Sequence, residues 1–175
     1  DNGISIQEFM VVPNSGDIQK DTRMASEIYH TLKKLLHKNG KSTGLGDEGG
    51  FAPSFNDSGD GENHENYFQQ DQVSPTLRVL DYLDQAIRES GYGNLDCEMA
   101  LDCAANEFFD KEKQAYMVDN QEYNQTTLTE FYKELTEKYP LISIEDAFGE
   151  DDVLGWQVLT EMVGKKIHLI GDDLF

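Results

Sequence analysis

Leu141-Ile142-Ser143-Ile144-Glu145-Asp146 is a short apolar run that ends in two acids. Pro140 resets the chain ahead of it, and a run of this length and branching predicts a buried strand. The same pattern occurs twice more. Met99-Ala100-Leu101 leads into Asp102, and Leu169-Ile170-Gly171 leads into Asp172, with Asp173 beside it. Amphipathic stretches separate the runs. Thr127-x-x-Glu130 has the form of a capping box and starts a helix with Leu128, Phe131 and Leu135 inward. Residues 151–163 read as another helix, with Trp156 and Leu159 inward.

The alternation continues towards the N-terminus. Residues 4–12 read as a strand that ends at Pro13. Residues 18–39 read as a helix, because Met24, Ile28, Leu32, Leu35 and Leu36 recur at helical spacing and Gly40 can follow its end. A short strand is expected to run into the turn at Asp47-Glu48. Residues 54–74 are polar with little periodicity and read as a loop insertion. Ser74-Pro75 is a strong helix start, with Leu77, Leu80, Leu83 and Ile87 as the buried stripe and Gly91 past the end. Residues 97–102 form the next strand, and 116–118 a short one. Strands that alternate with helices imply parallel pairing and right-handed crossovers. A doubly wound sheet and about half of a (β/α)8 barrel both fit.

Charge narrows the partners. The 175 residues hold 34 acidic and 14 basic side chains, a formal net charge of −20. That argues against nucleic acid and against anionic membranes, which both need basic surfaces. No apolar run approaches the length of a membrane span, and no signal-peptide pattern is visible. Cys97 and Cys103 lie at opposite ends of one expected strand, roughly 20 Å apart if extended, so they cannot pair and read as free thiols of a reducing cytoplasm. The chain opens at Asp1 without Met and stops at Phe175 directly after a strand, and is expected to be a piece of a longer protein.

The acids carry the chemistry. Neighbouring parallel strands place their C-terminal ends together, so Asp102, Glu145 and Asp172 should meet at one mouth. One such acid reads as a helix N-cap. Three at matching positions in successive strands point to a hard divalent cation such as Mg²⁺, which takes oxygen ligands and keeps positions open for water or substrate. Asp146 and Asp173 are left with capping or supporting roles. Leu45-Gly46-Asp47-Glu48-Gly49-Gly50-Phe51-Ala52-Pro53 adds two acids in a turn stiffened by Pro53. Taken alone it is an acidic surface turn; held rigidly, one carboxylate is a general acid. Glu8 stands in the middle of the first expected strand, an odd place for a charge without a partner. Two carboxylates held close raise one another's proton affinity, which keeps one ready to donate.

Five segments, in order, resemble the motifs of enolases (phosphopyruvate hydratases) of bacterial type. They are Ile6-Gln7-Glu8-Phe9-Met10, Gly46 to Pro53, Leu101-Asp102-Cys103-Ala104-Ala105-Asn106-Glu107-Phe108, Ser143-Ile144-Glu145-Asp146 and Gly171-Asp172-Asp173-Leu174-Phe175. The resemblance implies part of the TIM-type barrel of the enolase C-terminal domain. It implies reversible dehydration of 2-phospho-D-glycerate to phosphoenolpyruvate with Mg²⁺, in a cytoplasmic homo-oligomer that can also occur at cell surfaces. It makes Asp102, Glu145 and Asp172 the ligands of the tighter metal, with Glu145 and Asp172 also near the substrate. Glu48 becomes the acid that protonates the leaving 3-hydroxyl, Glu8 its partner carboxylate, and Gln7 a substrate contact. The family's lysine base, its Arg-Ser phosphate clamp, a second lysine and the N-terminal domain with its serine loop are expected outside residues 1–175. The isolated chain is therefore expected to be inactive. A non-catalytic acidic metal-binding protein or gene remnant is the alternative.

Overall fold

The computed structural model describes residues 2–55 and 74–175, so the expected insertion at about 54–74 falls almost wholly outside the described residues. The chain divides into two compact units. One holds Asp1–Ile4 and Pro13–Cys97, and the other Ser5–Val12 and Glu98–Phe175.

The first unit is built on two helices, α1 (Ile18–Lys38) and α2 (Pro75–Glu89). Asp17 caps α1 by accepting from the backbone N–H groups of Gln19 and Lys20, and Ser74 caps α2 by accepting from Leu77 N at 3.3 Å. Met24, Ile28, Leu35 and Leu36 of α1 are buried, as are Leu80, Tyr82, Leu83, Ala86 and Ile87 of α2. The strand expected before Asp47 is absent. Only an isolated antiparallel bridge joins Leu45 to Phe51. Gly46 N donates to Gly50 O at 2.9 Å and Ala52 N to Gly44 O at 2.9 Å, so the segment folds on itself as a tight loop and not along a sheet.

The second unit carries a four-stranded sheet in the order β1 (Glu8–Pro13), β2 (Cys97–Asp102), β6 (Leu141–Glu145), β7 (His168–Ile170). β2 pairs parallel with β6, and β6 parallel with β7. Central strands are buried and edge strands are not: β2 and β6 bury Met99, Leu101 and Ile144 completely, whereas Ile170 of β7 is 42% exposed. Glu8 opens β1 and is half-buried, which corrects the expectation of a mid-strand charge on a buried element. As an edge strand, β1 can leave a carboxylate at the solvent border.

The segment joining β2 to β6 forms a small antiparallel sheet of β3 (Phe109–Asp110), β4 (Ala115–Val118) and β5 (Gln121–Tyr123), of which only β4 is expected from the sequence. Asp119 and Asn120 turn β4 into β5 with φ of 53° and 63°, the conformation two-residue hairpins favour. Helix α3 (Gln125–Lys138) has its N-cap at Asn124, three residues before the expected cap at Thr127. Asn124 and Thr127 form the capping box, and Tyr132, not Phe131, is fully buried. Asp152 caps α4 (Val153–Val163), which buries Trp156 and Leu159. The sheet is open among the described residues. No described helix is long and apolar enough to cross a membrane.

Candidate metal centre

The site grows from the parallel register of β2 and β6. Cα pairing runs Leu101 with Ile144 and Asp102 with Glu145, so both strands end on a carboxylate at the same level. Adjacent strands lie about 4.8 Å apart. Side chains alternate along a strand, so the buried Leu101 and Ile144 anchor the level below while the acids at the strand ends project differently.

The backbone then turns sharply. Asp146 has φ 41° and Ala104 has φ 47°, left-handed values that cost a non-glycine residue energy unless the surroundings hold it there. Ala104 N donates to Asp102 Oδ1 at 3.1 Å. Asp146 is 5% exposed, and its carboxylate accepts from Asp172 N at 3.0 Å and from Asp173 N at 3.1 Å. It thereby ties the turn after β7 to the end of β6. Asn106 adds a second tie, donating to Asp173 Oδ2 at 2.9 Å while accepting from Glu150 N at 3.1 Å.

Carboxylate oxygens of Asp102, Glu145 and Asp146 lie within 4.8 Å of one another. Oxygens on opposite sides of a Mg²⁺ are about 4.2 Å apart, and Ca²⁺ allows about 5 Å. The donor set is all oxygen and all anionic, so it fits a hard divalent cation with little adjustment. Without such a charge, three carboxylates this close repel one another. Asp172 is the expected third ligand, with Asp146 in a capping or supporting role, and Asp146 does accept two backbone N–H groups. Asp172 is exposed and contributes its backbone N–H to Asp146, and its carboxylate does not join the group in this structure.

The segment that follows the site is held by aromatic side chains. Tyr132 Oη donates to Ala147 O at 2.9 Å, Tyr116 Oη donates to Asp152 Oδ2 at 2.7 Å and accepts from Gly149 N at 3.1 Å, and Trp156 Nε1 donates to Gly149 O at 3.3 Å. Phe148 packs edge-on against Tyr116 and Tyr132. Three side chains thus fix the segment that follows Glu145. Cys103, fully buried beside Asp102, has its thiol pushed up to about 12, first by burial and further by the carboxylates of Asp102, Asp146 and Glu145. Cys97 and Cys103 are both free thiols.

Gln7 is exposed just ahead of β1, and Glu8 is half-buried at its first residue. Glu48 belongs to the other unit. There it lies exposed in the Gly46–Gly50 loop, where Gly49 adopts φ 84°. Tyr29 of α1 holds that loop: its ring stacks on Phe51 at 4.3 Å, and its hydroxyl donates to Gly49 O at 3.2 Å.

Parallel strands joined by helices, with carboxylates clustered at strand C-terminal ends, define an α/β protein whose acidic cluster could hold a cation. The family model described as "Enolase, C-terminal TIM barrel domain" matches residues 1–175, and the chain belongs to the enolase family. Proteins named enolase from a Nitratiruptor species, Corynebacterium kroppenstedtii and Ehrlichia ruminantium are 43%, 40% and 38% identical to it over 177 residues, and each alignment covers all of this chain. The chain spans 37–38% of the length of these relatives.

Proposed function

We propose that this chain provides the cation-binding and acid-bearing part of a lyase that reversibly dehydrates 2-phospho-D-glycerate to phosphoenolpyruvate. The observation that carries this reading is the level pairing of Asp102 with Glu145, with Asp146 beside them, in a chain of the enolase family. Asp102, Glu145 and Asp172 would hold Mg²⁺, with Asp146 supporting them through its bonds to the backbone of Asp172 and Asp173. When bound, the cation offsets the negative charge that the substrate carboxylate gains as its neighbouring proton leaves.

The remaining roles belong to this chain's own side chains. Glu48 protonates the leaving 3-hydroxyl, which must depart as water. Glu8 is the partner carboxylate near that hydroxyl, and Gln7 contacts the substrate. Glu145 and Asp172 also border the substrate. No lysine of this chain serves as the base. Lys165 and Lys166 are exposed ahead of β7, at the strand end opposite the acids. The base and the phosphate clamp are therefore sought in the longer protein, together with its small-molecule specificity and its homo-oligomeric contacts. Two buried free thiols support a reducing, cytoplasmic setting.

Replacing Glu48 with Gln in the full-length protein tests the assignment. Turnover should fall by about 10²–10⁴-fold while Mg²⁺ affinity stays unchanged, because the amide cannot donate the proton but touches no cation. Undiminished turnover overturns the acid role. A protein with no turnover to lose would be an inert cation binder.

A further inference from the structure

The solvent face of α1 gathers cations that no acid on the helix offsets. Three cations on helices are matched four residues away by acids: Arg23 with Glu27, Arg88 with Asp84 and Lys133 with Glu137. The last turns of α1 instead carry His30, Lys33, Lys34, His37 and Lys38, all exposed. Their spacing of i, i+3, i+4, i+7, i+8 puts them on one stripe, turned away from the buried Ile28 and Leu35. Every four-residue neighbour within the stripe is another basic side chain, an arrangement that destabilises a helix when both partners are charged. No ion pair to Lys33, Lys34 or Lys38 occurs among the described residues. The negative end of the helix dipole favours cations at His37 and Lys38, but its reach ends within the last turn and leaves His30 and Lys33 unexplained. The stripe also lines a concavity of about 360 Å³ together with Thr43.

We infer that this concavity is a binding site for a small linear polyanion of the polyphosphate class. Three ammonium groups act as compact point charges that match phosphoryl oxygens, and the imidazole N–H groups and the Thr43 hydroxyl add donors. From residue 30 to residue 38 a helix rises about 12 Å, longer than one phosphate and suited to a chain of several. The net charge of −20 sets the upper size. Screening confines each charge to about 8 Å at physiological salt. A short anion seated on the stripe is governed by the lysines, whereas a long nucleic acid or a bilayer also meets the acidic remainder of the surface.

Titration calorimetry with inorganic tripolyphosphate, on this chain and on the full-length protein, tests the site. Tripolyphosphate should bind with one-site stoichiometry, more tightly than orthophosphate, and weaken as salt rises. The triple variant K33Q/K34Q/K38Q should lose roughly tenfold or more in affinity while circular dichroism shows the helix intact. K165Q/K166Q, which removes two exposed lysines elsewhere, should bind as the parent does. Equal loss in both variants, no binding by the parent, or tighter binding of duplex DNA than of tripolyphosphate overturns the proposal.

Discussion

Asp102 and Glu145 are register partners across the parallel β2–β6 pair, and each is the last residue of its strand. Two like charges held at one level of a sheet oppose folding unless a cation lies between them. Asp102→Asn should therefore act in opposite directions with and without metal. In chelator the variant should be as stable as the parent or more so, since a charge is gone and Asn Oδ1 can still accept from Ala104 N. With Mg²⁺ at a hundredfold excess over its dissociation constant, the parent should gain about 2.7 kcal/mol and the variant much less. Urea titrations in EDTA and in Mg²⁺ measure both arms. Equal stabilisation of the two proteins by Mg²⁺ would remove Asp102 from the ligand set.

Asp146 is the hinge pin of the turn that follows β7. Its carboxylate receives two backbone N–H groups, and its own backbone is left-handed. Asp146→Ala leaves both donors without their acceptor and places alanine where aspartate is better tolerated, at a cost of about 1–3 kcal/mol. Asp146→Asn should cost less, because the amide oxygen still accepts one bond and Asn tolerates the same torsion. Denaturant midpoints of the two variants rank them. Equal losses would mean that packing, not the bracket, holds the turn.

Tyr116 and Tyr132 link the same region to pH. Burial raises both phenols above their ordinary value of 10.0, and for Tyr116 the bond to Asp152 raises it further. The unfolded chain therefore releases these protons first. Their contribution is fully present below pH 10 and is lost as pH rises past it. The melting temperature should hold to about pH 9 and fall beyond about pH 10. Of the 8 tyrosines, these two should show phenolate absorbance only on unfolding. Tyr116→Phe should shift the alkaline fall to higher pH while lowering stability at neutral pH by about 1–3 kcal/mol, since Gly149 N–H loses its acceptor.

Local chemistry made much of the fold legible. Ser74-Pro75 marked the start of α2, and Gly40 marked the end of α1, where it takes φ 67°. Residues 97–102 form β2 at the expected bounds. These features depend on neighbours in sequence. What escaped depends on partners that are not neighbours. Leu45 has strand-like surroundings but makes one bridge, because Gly46 and Gly50 bond each other first. Phe131 and Tyr132 are equally apolar in pattern, and only the position of Ala147 O decides that the tyrosine goes inside. In the site, strand-end spacing brings Asp102 and Glu145 together. Asp146 joins their oxygens through a left-handed turn, and nothing in the spacing of acids encodes that torsion. Asp119-Asn120 did carry a signal, since both residues tolerate positive φ, and it was the cue for the missed hairpin.

Gly155 shows how little room the site's support leaves. It is buried in the first turn of α4, and a Cβ there would meet Cδ1 of Phe148 at 2.5 Å and Cγ at 2.7 Å. Phe148 cannot retreat freely, because Tyr116 and Tyr132 face its ring at 5.4 and 6.1 Å. On an exposed helix Gly→Ala stabilises by lowering the entropy of the unfolded chain. Here overpacking should win, and Gly155→Ala should cost about 1–3 kcal/mol. The displaced ring presses on the segment that carries Glu145 and Asp146, so Mg²⁺ affinity should weaken together with stability. Pairing the change with Phe148→Leu should recover part of both, since the smaller side chain vacates the contested space. Urea denaturation and Mg²⁺ titration of the single and double variants settle the point: if Gly155→Ala proves neutral or stabilising, the ring is not held as tightly as its neighbours imply.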